Sequence, residues 1–506
     1  SLALTLQDLK AFLNGVYVPS LLSFRTLIAK VVGVTLVVST GLPLGREGPM
    51  VHTGAVVAAR VTRAKFAFTK HLRYWTPVEV RVPSAQRNWV GIGCAAGVAA
   101  AFNAPLGGIL YSFEEVCSHW SAKMTWRSFF CVVVAALVYN GLILGTIMNQ
   151  DVTDNVFIKQ GLVLNLPPAT SLSDFAFVEF LPLAAIGVFG GLLGGLYVQG
   201  VVTLSGIRRR RLAHRPKVRV LEAVVVTFLA FTVLFFFPFS FCCRPCTEGM
   251  SVSGVACVPP QASFVVGNVT ITTTPNECGV IFTNYSDTPP PCASASGSGS
   301  GSGSGSSSGH GSYGRRLFEW SASSGVGNLG HGRRLGAGAA AVSYVQWQCP
   351  PHHYNEMASL LHTGQEGLIL HLLERRQQEV TNDRTFDFMV LLPFLAIYTT
   401  IAIIVFGIFV PSGNFIPALT IGCGMGRLCG LAAVSIGLNV DPGMYALMGA
   451  AAVLGGVTRM TLTLGVILVE VTHSSPDLLP MMFVLTIAKI TGDIFSPSFD
   501  HAMMHL

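Results

Sequence analysis

Long apolar runs, broken at intervals by short glycine- and proline-bearing stretches, dominate the chain. Runs near or above the roughly 18 residues that cross about 30 Å of hydrocarbon predict spans over 22–42, 129–148, 180–204, 220–238, 386–410, 416–438 and 479–495. Shorter apolar segments cover 50–59, 89–101, 105–117, 445–456 and 462–471. A helix that short covers about half a bilayer, and the N–H and C=O groups of its end turns lack partners that lipid could supply. Such ends must meet protein or a watery cavity, and opposed half-helices near the midplane are a common way for transporters to hold an ion.

Composition points the same way. Of 506 residues, 51% are hydrophobic and only 11% charged, with mean hydropathy +0.57, where a soluble domain carries roughly 25% charge. A disordered tail, a coiled coil and an ordinary cytosolic enzyme are excluded. The net charge of +7 lies mostly outside the apolar runs and bears on topology. No zinc-finger or RNA-stacking pattern is present, so the expected surroundings are a lipid bilayer and not nucleic acid. Arg208 to Arg211, followed by His214, Arg215, Lys217 and Arg219, predicts a short cytosolic loop between two spans. A topology role is favoured there over an acidic-lipid site.

The stretch 241–354 differs. It holds Cys242, Cys243, Cys246, Cys257, Cys278, Cys292 and Cys349, which are 7 of the 12 cysteines, and sequons at Asn268 and Asn284. One span beyond the basic loop places it on the lumenal or extracellular face, where disulfides persist and glycosylation occurs. The odd count leaves one cysteine outside any internal pairing and the connectivity open. Metal binding by Cys242, Cys243 and Cys246 lacks a second ligand cluster. Residues 296–309 form a Gly/Ser run, a flexible filler of natural or engineered origin.

A faint internal repeat is visible. Gly93-Cys94-Ala95-Ala96 and Gly449-Ala450-Ala451-Ala452 are related by an offset that also relates Leu106 to Leu462 and Glu114 to Glu470. Two related halves are a common transporter layout.

The sharpest chemical feature is Glu47, a carboxylate in Gly45-Arg46-Glu47-Gly48-Pro49 between two apolar segments. Burying it costs several kcal/mol unless it pairs, protonates or meets helix N-termini. Pro49 suits the first turn of a helix, so the motif predicts a helix start with open N–H groups suited to an anion. An ionised Glu47 could occupy the anion's place and leave it when protonated; the alternative is a simple pairing with Arg46. Gly413-Asn414-Phe415-Ile416-Pro417 predicts a second such start. Neither motif has the Lys-Ser/Thr ending of a phosphate loop. Glu114 and Glu115 end a half-length segment, and about 100° of helical rotation separates them. One can face a cavity as a proton relay, or both can cap a helix edge. His52 is read as a hydrogen-bonded histidine ahead of a proton carrier. No triad, acid/base pair or metal pattern suggests an enzyme.

These motifs, with the Glu114-Glu115 end of Pro105-Leu106-Gly107-Gly108-Ile109-Leu110, resemble the CLC family of chloride channels and chloride/proton exchangers. Phe12-Leu13-Asn14-Gly15 and Tyr354-Asn355-Glu356-Met357-Ala358 resemble its lysosomal and late-endosomal branch. The resemblance implies an all-α polytopic membrane protein of the CLC fold, an inverted-topology repeat of tilted, partly half-length helices. It also implies a homodimer with one pore per subunit, a possible accessory membrane glycoprotein, a lysosomal, endosomal or vacuolar membrane (the plasma membrane being the alternative), and no cofactor beyond the transported chloride and proton. It makes Glu47 the gating glutamate and Glu115 the internal proton glutamate. Gly45, Arg46, Gly48 and Pro49 with Gly413, Asn414, Phe415, Ile416 and Pro417 become the anion site. Phe499 stands weakly where the family has an anion-facing tyrosine, and Thr5-Leu6-Gln7-Asp8 stands where the family has a glycine-rich anion loop. The family's paired nucleotide-sensing domains are expected outside this chain.

The implied division is first-half membrane helices over 1–149, the start of the second half over 150–240, the lumenal insert over 241–354 and the remaining second-half helices over 355–506. Chloride/proton antiport is the favoured activity; a gated chloride channel and a non-transporting scaffold are the alternatives.

Overall fold

The computed structural model describes residues 6–16, 18–63, 83–147, 180–212, 215–245, 251–252, 255–256, 264–266, 269–271, 343–350, 353–374, 386–438, 440–472 and 474–504. The first half comprises α1 (Leu6–Leu13), α2 (Phe24–Ser39), α3 (Glu47–Arg63), α4 (Pro83–Phe102), α5 (Pro105–Tyr111), a π turn over Ser112–Val116, and α6 (Ala122–Ile147). Then follow α7 (Phe180–Leu212), α8 (Pro216–Phe236), α9 (Glu356–His362), α10 (Gly364–Leu373), α11 (Phe388–Val405), α12 (Phe415–Ser435), α13 (Pro442–Thr458), α14 (Leu462–Thr472), α15 (Leu478–Phe495) and α16 (Phe499–Met504). Among the described residues, six helices are long and apolar enough to cross a membrane, and α13 and α14 are shorter apolar helices.

Apolar residues do not all turn inward. In the apolar stretch of α12, 83% of residues are buried, against 6% in that of α8. α8 exposes Val224, Phe228, Leu229 and Phe231, and α6 exposes Trp126, Phe130 and Leu142. In water such faces would associate, whereas in a bilayer they are simply wetted by lipid tails.

The inverted repeat is legible in atomic detail. α3 crosses α4 where a Cβ on Gly54 would sit 2.2 Å from the Gly93 carbonyl, and α12 crosses α13 where a Cβ on Gly422 would sit 2.5 Å from the Gly449 carbonyl. Small residues allow this backbone approach, which drives helix association when lipid removes the hydrophobic contribution. At the ends of α4 and α13, Asn103 (φ 52°) and Arg459 (φ 67°) are both left-handed, and the offset that relates the two Gly-Ala runs relates this pair too.

The carboxylates exchange across the halves. Glu114 accepts from the backbone N–H groups of Thr461 and Thr463 at 2.9 Å each, and from both their hydroxyls, where α14 begins. Glu470, at the end of α14, accepts from the N–H groups of Leu106 (2.9 Å) and Gly107 (2.7 Å) where α5 begins. Each half-helix thus has its open donors satisfied by a glutamate from the other half, a charged cap aligned with the helix dipole.

Three details depart from the sequence reading. The arginine run is not a loop: α7 continues through Arg208 to Arg211 and α8 begins at Pro216. Arginine is a good helix former, and cations favour a helix C-terminus. Arg208 also donates to the carbonyls of Phe406 and Ile404 just beyond and at the end of α11, and pairs with Glu222 at 2.6 Å. The segment over 89–101 belongs to a 20-residue helix, α4. The chain is not wholly helical either. Short strands border the insert, Cys243–Pro245 pairing antiparallel with His353–Asn355. The disulfide Cys243–Cys349 closes the insert's base. Asn268, Asn284, Cys246, Cys257, Cys278, Cys292 and the Gly/Ser run lie outside the described residues.

The two family-branch motifs have structural work. Asn14 folds its side chain back onto the Lys10 carbonyl at 3.0 Å, and Gly15 takes φ 102° to end α1. Asn355 caps α9 through the Ala358 N–H and donates to the carbonyls of Pro238 and Phe241.

Candidate functional site

Gly45-Arg46-Glu47-Gly48-Pro49 and Gly413-Asn414-Phe415-Ile416-Pro417 are brought together backbone to backbone. The Gly45 N–H donates to the Gly413 carbonyl at 2.9 Å, and the Gly413 N–H donates to the Gly45 carbonyl at 2.7 Å. One offset relates Gly45, Glu47 and Pro49 to Gly413, Phe415 and Pro417, so the bridge joins equivalent residues of the two halves. α3 and α12 therefore start side by side. Glycine suits the bridge, since a Cβ on Gly413 would lie 3.0 Å from the Gly48 backbone nitrogen and crowd Glu47 Oε2.

α12 begins without a side-chain cap. Asn414 stands at the cap position, but its Oδ1 accepts from the Tyr197 hydroxyl at 2.6 Å. The first-turn donors of Phe415 and Ile416 are thereby left for something else, and Pro417 contributes none. Opposite them stands Glu47, 6% exposed. The amides of Glu47, Arg46 and Ile416 face its carboxylate, yet neither oxygen completes a hydrogen bond among the described residues. A buried carboxylate without hydrogen bonds, against open helix N-termini, is held by dipoles that would equally favour a small anion.

Arg46 is turned away from this point, its guanidinium paired with Glu366 at 2.8 Å. The alternative pairing of Glu47 with Arg46 is therefore not made. The Gly413 N–H is consumed by the bridge, so within this motif the donors open to an anion are those of Phe415 and Ile416. His52 is buried, with Nε2 3.1 Å from the Leu21 carbonyl, and it does not line the cavity described next.

A cavity of about 240 Å³ is lined by Glu47, Gly48, Phe415, Phe499, Asp500 and Gln7, among others. Phe499 is buried and lines the cavity, its ring 5.3 Å from that of Phe406. Next to Asp500, Lys10 is buried between two carboxylates and ion-paired with both Glu115 and Asp500. Gln7 donates to the other oxygen of Asp500 at 2.9 Å. Glu115 is not among the lining residues, but its carboxyl group lies within proton-sharing reach of Asp500. Glu114 and Glu115 thus part as the helical rotation requires, one to cap α14 and the other to Lys10.

Sequence reasoning missed Asp500, Lys10 and Tyr111 as site residues. Lys10 and Asp500 left one signal, isolated charges in segments that the membrane account buries. Tyr111 left none.

Together these features define a polytopic membrane protein whose inverted repeat sets two helix N-termini and a carboxylate beside a small cavity. Its sequence matches the family model "Voltage gated chloride channel" over residues 5–493, and the chain belongs to that family. It is 32% identical over 502 residues to chloride channel protein CLC-d of Arabidopsis thaliana, covering 97% of this chain and 51% of that protein. It is 30% identical over 495 residues to H(+)/Cl(-) exchange transporter 7 of Homo sapiens, covering 96% and 48%. The chain spans about half the length of these curated relatives. Among solved structures, a eukaryotic CLC transporter superposes with a TM-score of 0.58 at 22% identity, covering all of this chain and 61% of that one. A slow cyanobacterial Cl-/H+ antiporter superposes with 0.55 at 15% identity, covering 99% and 80%.

Proposed function

We propose that this chain carries the ion pathway of a chloride/proton exchanger. The observation that supports the reading above all others is the Gly45–Gly413 bridge, which sets the Glu47 carboxylate against the uncapped start of α12. Ionised Glu47 occupies the field of the Phe415 and Ile416 donors and excludes chloride. Protonated Glu47 loses that attraction, swings aside, and chloride takes its place. Glu115 collects protons from the cytosolic side, and Asp500 connects it to the cavity. Coupling follows because one position serves the anion and the carboxylate by turns.

Within this reading, 1–149 and 150–240 with 355–506 form the two membrane halves, and 241–354 is a lumenal insert. The relatives' names include both chloride channel proteins and an exchange transporter, so exchange is favoured here by Glu115, joined to Asp500 through Lys10, and the branch motifs favour an endomembrane location. A homodimer and an accessory glycoprotein belong to the proposal by family resemblance.

The test is the reversal potential of the chloride current in planar bilayers under an imposed pH gradient. Exchange predicts a reversal potential that moves with the gradient; a potential set by chloride alone means a channel. Glu115→Ala is expected to lower proton flux at least tenfold while chloride flux changes less, measured side by side in proteoliposomes. An unchanged proton-to-chloride ratio removes Glu115 from the path.

A further inference from the structure

The pathway has a gap that Glu47 and Glu115 do not close. Glu115 is held by Lys10 and does not line the cavity, whereas Asp500 shares that lysine and does line it. Glu47 lines the same cavity, and neither of its oxygens has a hydrogen bond among the described residues. A proton crossing between them needs a group that both accepts and donates.

The lining offers few such groups. Phe499 has no hydroxyl. The Thr458 hydroxyl donates to the Leu454 carbonyl at 2.8 Å. The Ser205 hydroxyl is turned to Gly407, where an added Cβ would meet it at 2.8 Å. The Asn414 Oδ1 is taken by Tyr197. Tyr111 remains. As the last residue of α5 it lines the same cavity as Asp500 and Glu47, and the charges of Asp500, Glu115 and Glu47 all act on its hydroxyl. α5 itself is anchored at its start by Glu470, which fixes where its last side chain stands.

We propose that the Tyr111 hydroxyl is the relay between Asp500 and Glu47, with Asp500 the group that draws protons from Glu115. The proposal rests on the exchanger reading. In the step, the carboxylic acid of Asp500 gives its proton to the Tyr111 oxygen as that oxygen's own proton passes to the Glu47 carboxylate, directly or across one water. Asp500 ends ionised, Glu47 ends neutral, and the tyrosine carries no net charge before or after. Rotation of the hydroxyl resets it. Asp500 is then reprotonated from Glu115, and Lys10 lies beside whichever of the two is ionised.

The experiment is paired chloride and proton flux in proteoliposomes for the wild type, Tyr111→Phe, Glu47→Ala, and the double variant. Tyr111→Phe is expected to lower proton flux roughly tenfold or more, with chloride flux retained as evidence of a folded protein. In the Glu47→Ala background, where chloride moves alone, adding Tyr111→Phe is expected to leave chloride flux unchanged. A Tyr111→Phe protein with the wild-type proton-to-chloride ratio overturns the relay. So does a fall in chloride flux in the double variant, which would make the hydroxyl an anion ligand instead. A wild type whose chloride flux ignores the pH gradient overturns the exchanger reading itself, and is told apart by failing before any variant is compared.

Discussion

Glu47→Ala is expected to abolish proton transport while chloride continues to move down its gradient. The side chain is buried, unpaired and set against the start of α12, so removing it subtracts the anion's competitor and the proton's terminal carrier together. Little else depends on it, because the two motifs are joined by backbone hydrogen bonds between Gly45 and Gly413. Truncating an unpaired buried carboxylate also removes a desolvation cost of several kcal/mol, so the variant should fold at least as well as the wild type. Chloride efflux and proton uptake recorded from the same vesicles decide the matter. Chloride-driven proton uptake that survives the substitution defeats the scheme.

The second large effect concerns stability. Glu114→Ala removes four hydrogen bonds to an ionised acceptor and strands the Thr461 and Thr463 donors at the start of α14. Hydrogen bonds to charged groups contribute about 1.5–3 kcal/mol each and are not additive within one cap, which gives a loss of roughly 3–6 kcal/mol. Thermal unfolding in detergent should show a markedly lower midpoint for Glu114→Ala and a smaller drop for Glu114→Gln, which keeps one acceptor oxygen. A midpoint equal to the wild type's would show that the exchange of caps between the halves carries no weight in holding them together.

Much of this was legible in the chain. Apolar run length placed six of the seven expected spans, whereas 22–42 folds as the 16-residue α2, which is not among the six helices long and apolar enough to cross a membrane. The Gly-Glu-Pro and Gly-Phe-Pro motifs announced helix starts because proline and glycine constrain backbone wherever they occur. The offset joining Glu114 to Glu470 was visible too. That each caps the other half was not, since one-dimensional spacing carries no information about which helix start a carboxylate will meet. Arg208 to Arg211 was misplaced because charge marks the membrane edge without marking where a helix stops. Tyr111 and Asp500 were missed for a different reason. Each is a single polar residue without a motif, and only the fold brings α5 and α16 to the same cavity wall. Phe499 was singled out from resemblance alone, and it lines the same cavity as Tyr111.

Chloride binding measured by calorimetry on purified protein across a range of pH tests the central claim most directly. If Glu47 and the anion compete for the donors of Phe415 and Ile416, wild-type affinity weakens as rising pH ionises the carboxylate, and Glu47→Ala binds more tightly with that dependence gone. Equal affinities with the same pH dependence in both proteins would contradict the account.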